Sequence, residues 1–353
     1  MRQKKRRLIL LPCLIVVGLC LCYFLGGYAA ALIVNDAMFG GRLSSAEPER
    51  SFATVLYNRR EDYPLLKKRQ EVNFASGGNL LRGYFYEVKK AKGTFVCVHG
   101  IKGSSDDETA MVQNALVEAG YSVFSFDLTS SGRSEGEGIY SLAQGAHDVK
   151  EAINYLYNGM DFYADLENLY LMGYSWGAYS VSASLNFELP CPVKGVLCFS
   201  GFVSPKEAML ATARSYVGFF ADMNSLTLDW GLATKSGEDR HLSGKEGILS
   251  SGVRAYLVQG DEDDVVPSSS SLYEAFDSSA KVKKKLRKGF GHIRPWVSES
   301  SAKISKTLQK RADSVGLDEF EASLSEEEKA SANVFDESLL EEALSFLTGE
   351  TNG

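Results

Sequence analysis

The chain has 353 residues, 44% of them hydrophobic and 24% charged, which is ordinary for a globular protein with one large core or two domains. The net charge of −7 is uneven: five basic residues precede Leu8, and from Asp313 onward twelve acidic residues stand against one lysine, so the body between is near neutral. That distribution offers no surface for nucleic acid, and six cysteines without metal-ligand spacing argue against a zinc module or a disulfide scaffold.

Residues 1–7 are a basic segment that should stay in the cytoplasm. From Leu8 to Val34 no residue is charged. That run exceeds the roughly 20 residues needed to span a bilayer and the roughly 7–15-residue core of a cleaved signal. Residues 8–34 therefore predict an uncleaved transmembrane signal anchor, single-pass in the cell membrane, with the body extracytoplasmic. Cleavage after Ala29-Ala30-Ala31, giving a secreted protein, is the alternative. Cys13, Cys20 and Cys22 fall in this segment. Cys97 and Cys198 fall in apolar strands and Cys191 just before one, which predicts free thiols.

Residues 35–68 read as a tether with a short helix lying on the body. Glu71–Phe74 and Leu81–Val88 predict a hairpin around Ser76-Gly77-Gly78-Asn79. The strand Thr94–Val98 runs into His99-Gly100-Ile101. A helix is predicted over Asp107–Ala119, stopped by Gly120, then a strand over Ser122–Phe126. The next helix is predicted from Ser141, with Gln144 placed to close a capping box. Its apolar face carries Leu142, Ala146, Val149, Ile153 and Leu156, which leaves His147 on the surface. Leu169–Met172, Val196–Phe199 and Val253–Val258 are continuous apolar runs, as in a parallel sheet covered on both faces.

Between Phe202 and Gly247 the alternation breaks, and Met209, Tyr216, Val217, Phe219, Phe220, Met223 and Trp230 gather there. They either line an apolar pocket or pack on the body. In the acidic tail, Asp336–Leu347 has the spacing of a docked amphipathic helix, and Glu326–Ala332 reads as a solvated face or linker.

Gly-x-Ser-x-Gly occurs twice, around Ser134 and around Ser175. Only Ser175 sits between a strand (Leu169–Met172) and a helix-compatible stretch (Ala178–Leu185). Strand, sharp turn and helix push a serine Oγ clear of a sheet edge. Ser134 lies among Gly/Ser-rich loops. A nucleophilic serine needs a base oriented by a third group. The histidines are His99, His147, His241 and His292, the last following an apparent final strand at Lys281–Leu286. The loop after Val253–Val258 offers Asp261, Glu262, Asp263 and Asp264.

These motifs, in this order, resemble the α/β-hydrolases, most closely the bacterial membrane-anchored esterase/lipase-like and serine-aminopeptidase-like members, over roughly Val72 to Ala312. The resemblance rests on Val98-His99-Gly100-Ile101, Asp127-x-x-x-x-Gly132-x-Ser134, the Ser175 turn, and Asp263 with His292. It implies a mostly parallel eight-stranded sheet with helices on both faces and a small helical lid at about 202–247. The domain would run from 69 to 312, after one transmembrane helix and before an acidic tail (313–353). The order Ser, acid, His implies catalysis by Ser175, Asp263 and His292. Asp263 is preferred because Gly-x-x-Asp-x-Val-Val-Pro matches the family pattern. The backbone N–H groups of Ile101 and Trp176 would form the oxyanion hole, and no cofactor or metal would be needed. The activity implied is hydrolysis of carboxylic esters on a small or lipid-like acyl substrate. A peptidase or amidase with the same residues, and a cell-envelope binding protein with a vestigial triad, are the rival readings. The oligomeric state is left open.

Overall fold

The computed structural model describes residues 2–159 and 164–349. The side chains of the basic cluster Arg2–Arg7 and of Cys13, and the last residues of the acidic tail (350–353), lie outside the described residues.

Helix α1 (Arg2–Phe39) is longer than the apolar run predicted it to be. It continues past Val34 because Asn35 and Phe39 are buried against the body. The segment after it is no free tether. The Leu43 N–H donates to the Ser130 carbonyl (2.8 Å) and the Ser44 hydroxyl to the Gly103 carbonyl (2.7 Å). The expected short helix is α2 (Phe52–Leu56), capped by Ser51, whose Oγ accepts from the Thr54 N–H.

The sheet has eight strands in the order β1-β2-β4-β3-β5-β6-β7-β8. β1 (Gln70–Ser76) and β2 (Asn79–Tyr86) form the hairpin, and β2 pairs antiparallel with β4. β3 (Thr94–Val98), β4 (Ser122–Phe126), β5 (Leu169–Tyr174), β6 (Val193–Phe199), β7 (Arg254–Gly260) and β8 (Val282–Arg287) are parallel to one another. Alternate residues go to opposite faces. Val96, Leu171, Val196 and Leu257 join α4 (Gln144–Asn158), α5 (Trp176–Ser184) and α9 (Gly244–Ser251) in one core. Phe95, Tyr170, Leu197 and Tyr256 join α3 (Ala110–Glu118) and α13 (Glu337–Thr348) in the other. Both faces are covered, which is why these strands read as unbroken apolar runs.

Several local expectations change. α3 begins at Ala110, not Asp107, because Asp107 pairs with Arg59 and accepts from the Ser104 hydroxyl. α4 begins at Gln144, and Ser141 and Gln144 form no capping box. The Gln144 amide donates instead to the buried Asp148 carboxylate (2.9 Å), which needs donors more than the helix end does. His147 is not a bare surface residue: its Nε2 lies 2.9 Å from Asp239. After β6 come α6 (Pro205–Val217), α7 (Phe220–Met223) and α8 (Ser225–Ser236), and α8 packs along α1. Met209 is buried, but Tyr216, Phe219 and Phe220 face outward.

The acidic tail is part of the fold. α10 (Glu299–Val315) is followed by α11 (Leu317–Ser323) and α12 (Glu326–Ala332). α12 is no linker: Ser325 and Glu328 close a capping box, and Arg311 holds the Glu328 carboxylate at 2.7 Å. α13 buries Leu339, Leu340, Ala343 and Leu347, and packs on β6 and β7. Among the described residues the packed fold thus continues past Ala312 through α13. Leu347→Ala should therefore lower unfolding stability by about 2–5 kcal/mol, whereas exposed Glu341→Ala should stay within about 0.5 kcal/mol. Denaturant unfolding of both variants reads the difference, and equal small effects would mean that α13 does not carry core packing.

Candidate active site

Ser175 stands between β5 and α5 with φ 54° and ψ −115°, a conformation a residue with a Cβ rarely adopts. Tight packing enforces it. A Cβ on Gly177 would strike the carbonyl oxygens of Val98 and His99, so only glycine lets α5 start this close to the end of β3. α5 is buried on every side, yet it is rich in serine. Ser180 and Ser182 each return their hydroxyl to a carbonyl one turn back at 2.7 Å, so the buried oxygens are satisfied.

The Ser175 Oγ lies 2.9 Å from His292 Nε2, and His292 Nδ1 lies 2.9 Å from Asp263 Oδ2. Asp263 is reached through the loop after β7. Its Oδ1 accepts from the N–H groups of Val265 (3.0 Å) and Val266 (2.8 Å), and Gln259 Nε2 donates to its Oδ2 (2.6 Å). These donors fix the carboxylate from three sides. The neighbouring acids are used elsewhere. Asp261 accepts from the Gly289 N–H (2.6 Å) and Glu262 pairs with Lys306 (2.5 Å). The Tyr174 ring lies against His292 with centroids 5.3 Å apart.

Ser134 has a different place. Its Oγ donates to the Asp127 carbonyl (2.5 Å) and accepts from the Arg82 N–H (2.8 Å), which ties β2 to the loop after β4. His99 is structural too. Its Nδ1 faces the Gly100 carbonyl (2.6 Å) and its Nε2 accepts from the Leu128 N–H (3.0 Å). Burial pushes its pKa down, which keeps the ring neutral.

Trp176 begins α5, so its N–H is one of the helix's unpaired amino-terminal donors. Its indole is buried and donates to the Leu142 carbonyl (2.7 Å). The loop carrying Ile101 lies against Ser175. A Cβ added at Gly100 would come 3.3 Å from the serine Cβ. The Gly100 N–H is turned the other way, onto Glu108 Oε2 (2.7 Å). Sequence reasoning missed Glu108 and Gln259. No signal marks either: Glu108 is one of three successive acids, and Gln259 is simply the polar residue near the end of β7.

A cleft of about 780 Å³ opens beside the site, between the segment after α1 and the loop after β3. Ser44, Arg59, Lys102, Glu108, Tyr174 and Arg294 are among its lining residues, but neither Ser175 nor His292 is.

A family of sequences described as serine aminopeptidase, S33, matches residues 89–247, which is less than half of the chain and includes Ser175 but not Asp263 or His292. No curated protein matches. Among solved structures, an esterase of Pyrococcus furiosus, PF2001, is similar. In one crystal form it is 16% identical with a TM-score of 0.51, covering 74% of this chain and 92% of that one. In another it is 18% identical with a TM-score of 0.50, covering 74% and 93%. At this identity the likeness is one of fold.

Glu108 yields a pH prediction. Burial pushes its carboxyl up from 4.5 to about 7; the Gly100 N–H opposes this and Asp107 adds to it. The folded state thus holds this proton to higher pH than the unfolded chain. The stability it contributes is full below pH 4.5 and is lost as pH rises through about 7. Glu108→Gln stays neutral and keeps an oxygen for Gly100. Its thermal midpoint should match the native one at low pH and exceed it increasingly toward about pH 8. A difference independent of pH would mean that the carboxyl is ionised throughout.

Proposed function

We propose that this member of the α/β-hydrolase superfamily is a membrane-anchored serine hydrolase that cleaves carboxylic esters outside the cytoplasmic membrane. The observation that carries the reading is the unbroken hydrogen-bonded line from Ser175 Oγ through both nitrogens of His292 to Asp263. In the reaction, Ser175 Oγ attacks the ester carbonyl while His292 Nε2 takes its proton. Asp263 holds the Nδ1–H and stabilises the imidazolium. The N–H groups of Ile101 and Trp176 receive the charge that develops on the carbonyl oxygen. His292 then protonates the departing alkoxide as the C–O bond breaks, which leaves an acyl-serine. Water, deprotonated by His292, hydrolyses it, and the proton returns to Ser175. No cofactor enters this scheme.

The strained φ of Ser175 supports the nucleophile assignment, because such strain persists where the surroundings over-determine it, as at active sites. The basic residues at the start of α1 and the apolar run that follows them support an anchor with the body outside. The S33 match favours one rival, hydrolysis of an amide by the same groups. Esters and amides share the tetrahedral intermediate, so only substrates separate them.

The full chain, in membranes or detergent, should be labelled by a fluorophosphonate and should turn over p-nitrophenyl esters faster than aminoacyl anilides. The reverse preference would make it a peptidase. Ser175→Ala should abolish both labelling and turnover, and Ser134→Ala should be labelled wherever it folds. Asp263→Asn should lower kcat by about 10⁴, and Asp261→Asn by less than about tenfold, which is a barrier change of about 1.4 kcal/mol. A severe loss at Asp261 with a mild one at Asp263 would move the acid. For topology, the chain should resist carbonate extraction while external protease reaches its body. A soluble form starting near Ala31 would mean that the anchor is cleaved.

A further inference from the structure

The insertion after β6 presents an apolar tip that the body does not cover. Between Ser215 and Leu228 the only charged residue is Asp222, and it is paired with Arg214 at 2.5 Å. Tyr216 is 83% exposed, Phe219 71%, Phe220 65% and Leu226 69%, with Val217 and Met223 beside them in sequence and also half or more exposed. A soluble surface rarely gathers so many large apolar side chains in one place.

The packing of α1 on α8 says what lies opposite that tip. Gly27 faces Asn224 and Thr227; Ala31 faces Gly231; Asp36 pairs with Lys235 at 2.6 Å. Positions rise together, so the two helices run parallel. The start of α8, where α7 joins it, is therefore level with Gly27. Toward its beginning α1 leaves the body, and Val16, Leu19, Leu21 and Leu25 are all exposed. Leu8–Gly26 is nineteen residues, about 28 Å of helix, which matches a hydrocarbon core of about 30 Å. The bilayer boundary then falls near Gly27. Tyr28 lies there, edge-on to Trp230 with centroids 6.1 Å apart, as aromatic residues do at membrane interfaces.

We infer that the tip formed by the end of α6, α7 and the start of α8 is a second membrane contact, seated in the headgroup and upper acyl region of the leaflet that α1 leaves. The inference rests on the reading of α1 as a spanning anchor. The occupant is lipid rather than a protein partner, because the exposed patch is level with the bilayer boundary near Gly27 and attached to the helix that crosses it. An apolar face at the interface gains free energy in proportion to the area buried. With the span fixed on one side and this tip on the other, the body has two points of support and a defined orientation on the membrane.

Tryptophan fluorescence of the full chain in phosphatidylcholine vesicles tests this. Trp176 and Trp296 are buried in the body, so only Trp230 must be removed, as Trp230→Phe. Into that background go Phe219→Trp, as the tip reporter, and separately Leu19→Trp, as the span reporter. Vesicles with bromine on the acyl chains should quench both reporters, and aqueous iodide should quench neither. If Leu19→Trp is quenched by bromolipid but Phe219→Trp only by iodide, the anchor stands and the membrane contact of the tip is refuted. If bromolipid quenches neither, the spanning anchor fails and the inference falls with it. If Phe219→Trp is blue-shifted yet quenched by neither agent, protein covers the tip, and the lipid assignment is overturned.

Discussion

The rest of the site depends on one close contact, where the first turn of α5 meets the end of β3. Gly177 sits against the carbonyls of Val98 and His99, and Gly100 sits against Ser175. Neither side can move outward without opening the core that contains Val98, Trp176 and Ala178. The serine is therefore held in its unfavourable backbone state by the sheet, not by its own turn. The same contact brings the loop at Ile101 beside the serine before any substrate arrives. In the proposed mechanism a donor from this loop would need no reorganisation as charge develops.

Behind that contact lies a buried polar network. Asp127 Oδ1 accepts from the Ser105 N–H (2.9 Å), and its Oδ2 from the Arg133 N–H (2.9 Å) and the Tyr84 hydroxyl (3.0 Å). Asp148 accepts from the Ser76 hydroxyl (2.7 Å) and from both the N–H (2.8 Å) and hydroxyl (2.9 Å) of Thr129. His99 joins the loops after β3 and β4. Two buried carboxylates and a neutral histidine thus secure the loops that flank the candidate oxyanion donors. A buried charge is tolerable only with such a set of donors. The motif Asp127-x-x-x-x-Gly132-x-Ser134 is structural on this geometry, although Gly132 to Gly136 repeats the Gly-x-Ser-x-Gly form found around Ser175.

How much the sequence reveals follows the range of the interactions. Strands β3 and β4 are legible to the residue, because burial on both faces writes itself as an apolar run ended by glycine or a polar residue. Ser175, Asp263 and His292 meet in space although 88 and 29 residues separate them in turn, and in the sequence their grouping follows from the resemblance to the α/β-hydrolases. What the sequence hides is what depends on a distant partner. Gln144 is a plausible capping residue until Asp148 proves to be buried beside it. Asp107 opens a good helix until Arg59 takes it. In the acidic tail, the leucine spacing of Asp336–Leu347 makes its docked helix legible, whereas Glu326–Ala332 looks solvated because its charges are counted and the partner of Glu328, Arg311, lies on another helix. Similarly, Tyr216 and Phe219 suggest a core stripe by type, and only their exposure shows that nothing in the body receives them.

The chain leaving α1 explains why the body cannot be considered apart from that helix. Arg42 donates to the Gly132 carbonyl (2.5 Å), and Ser44 both donates to Gly103 and accepts from the Gly132 N–H (3.0 Å). The first residues past the helix are therefore stitched to the loops after β3 and β4, the two loops that border the candidate site. They also form one wall of the cleft of about 780 Å³, with Tyr57 and Arg59 farther along the same segment. On the other side, α8 binds α1 directly. Any force that tilts α1 acts on both at once, with no flexible linker to absorb it. The helix long and apolar enough to span a membrane and one wall of the cleft are consequently built from the same stretch of chain, so cleavage near Ala31 would remove the part of α1 opposite the start of α8 but leave the Ser44 wall in place.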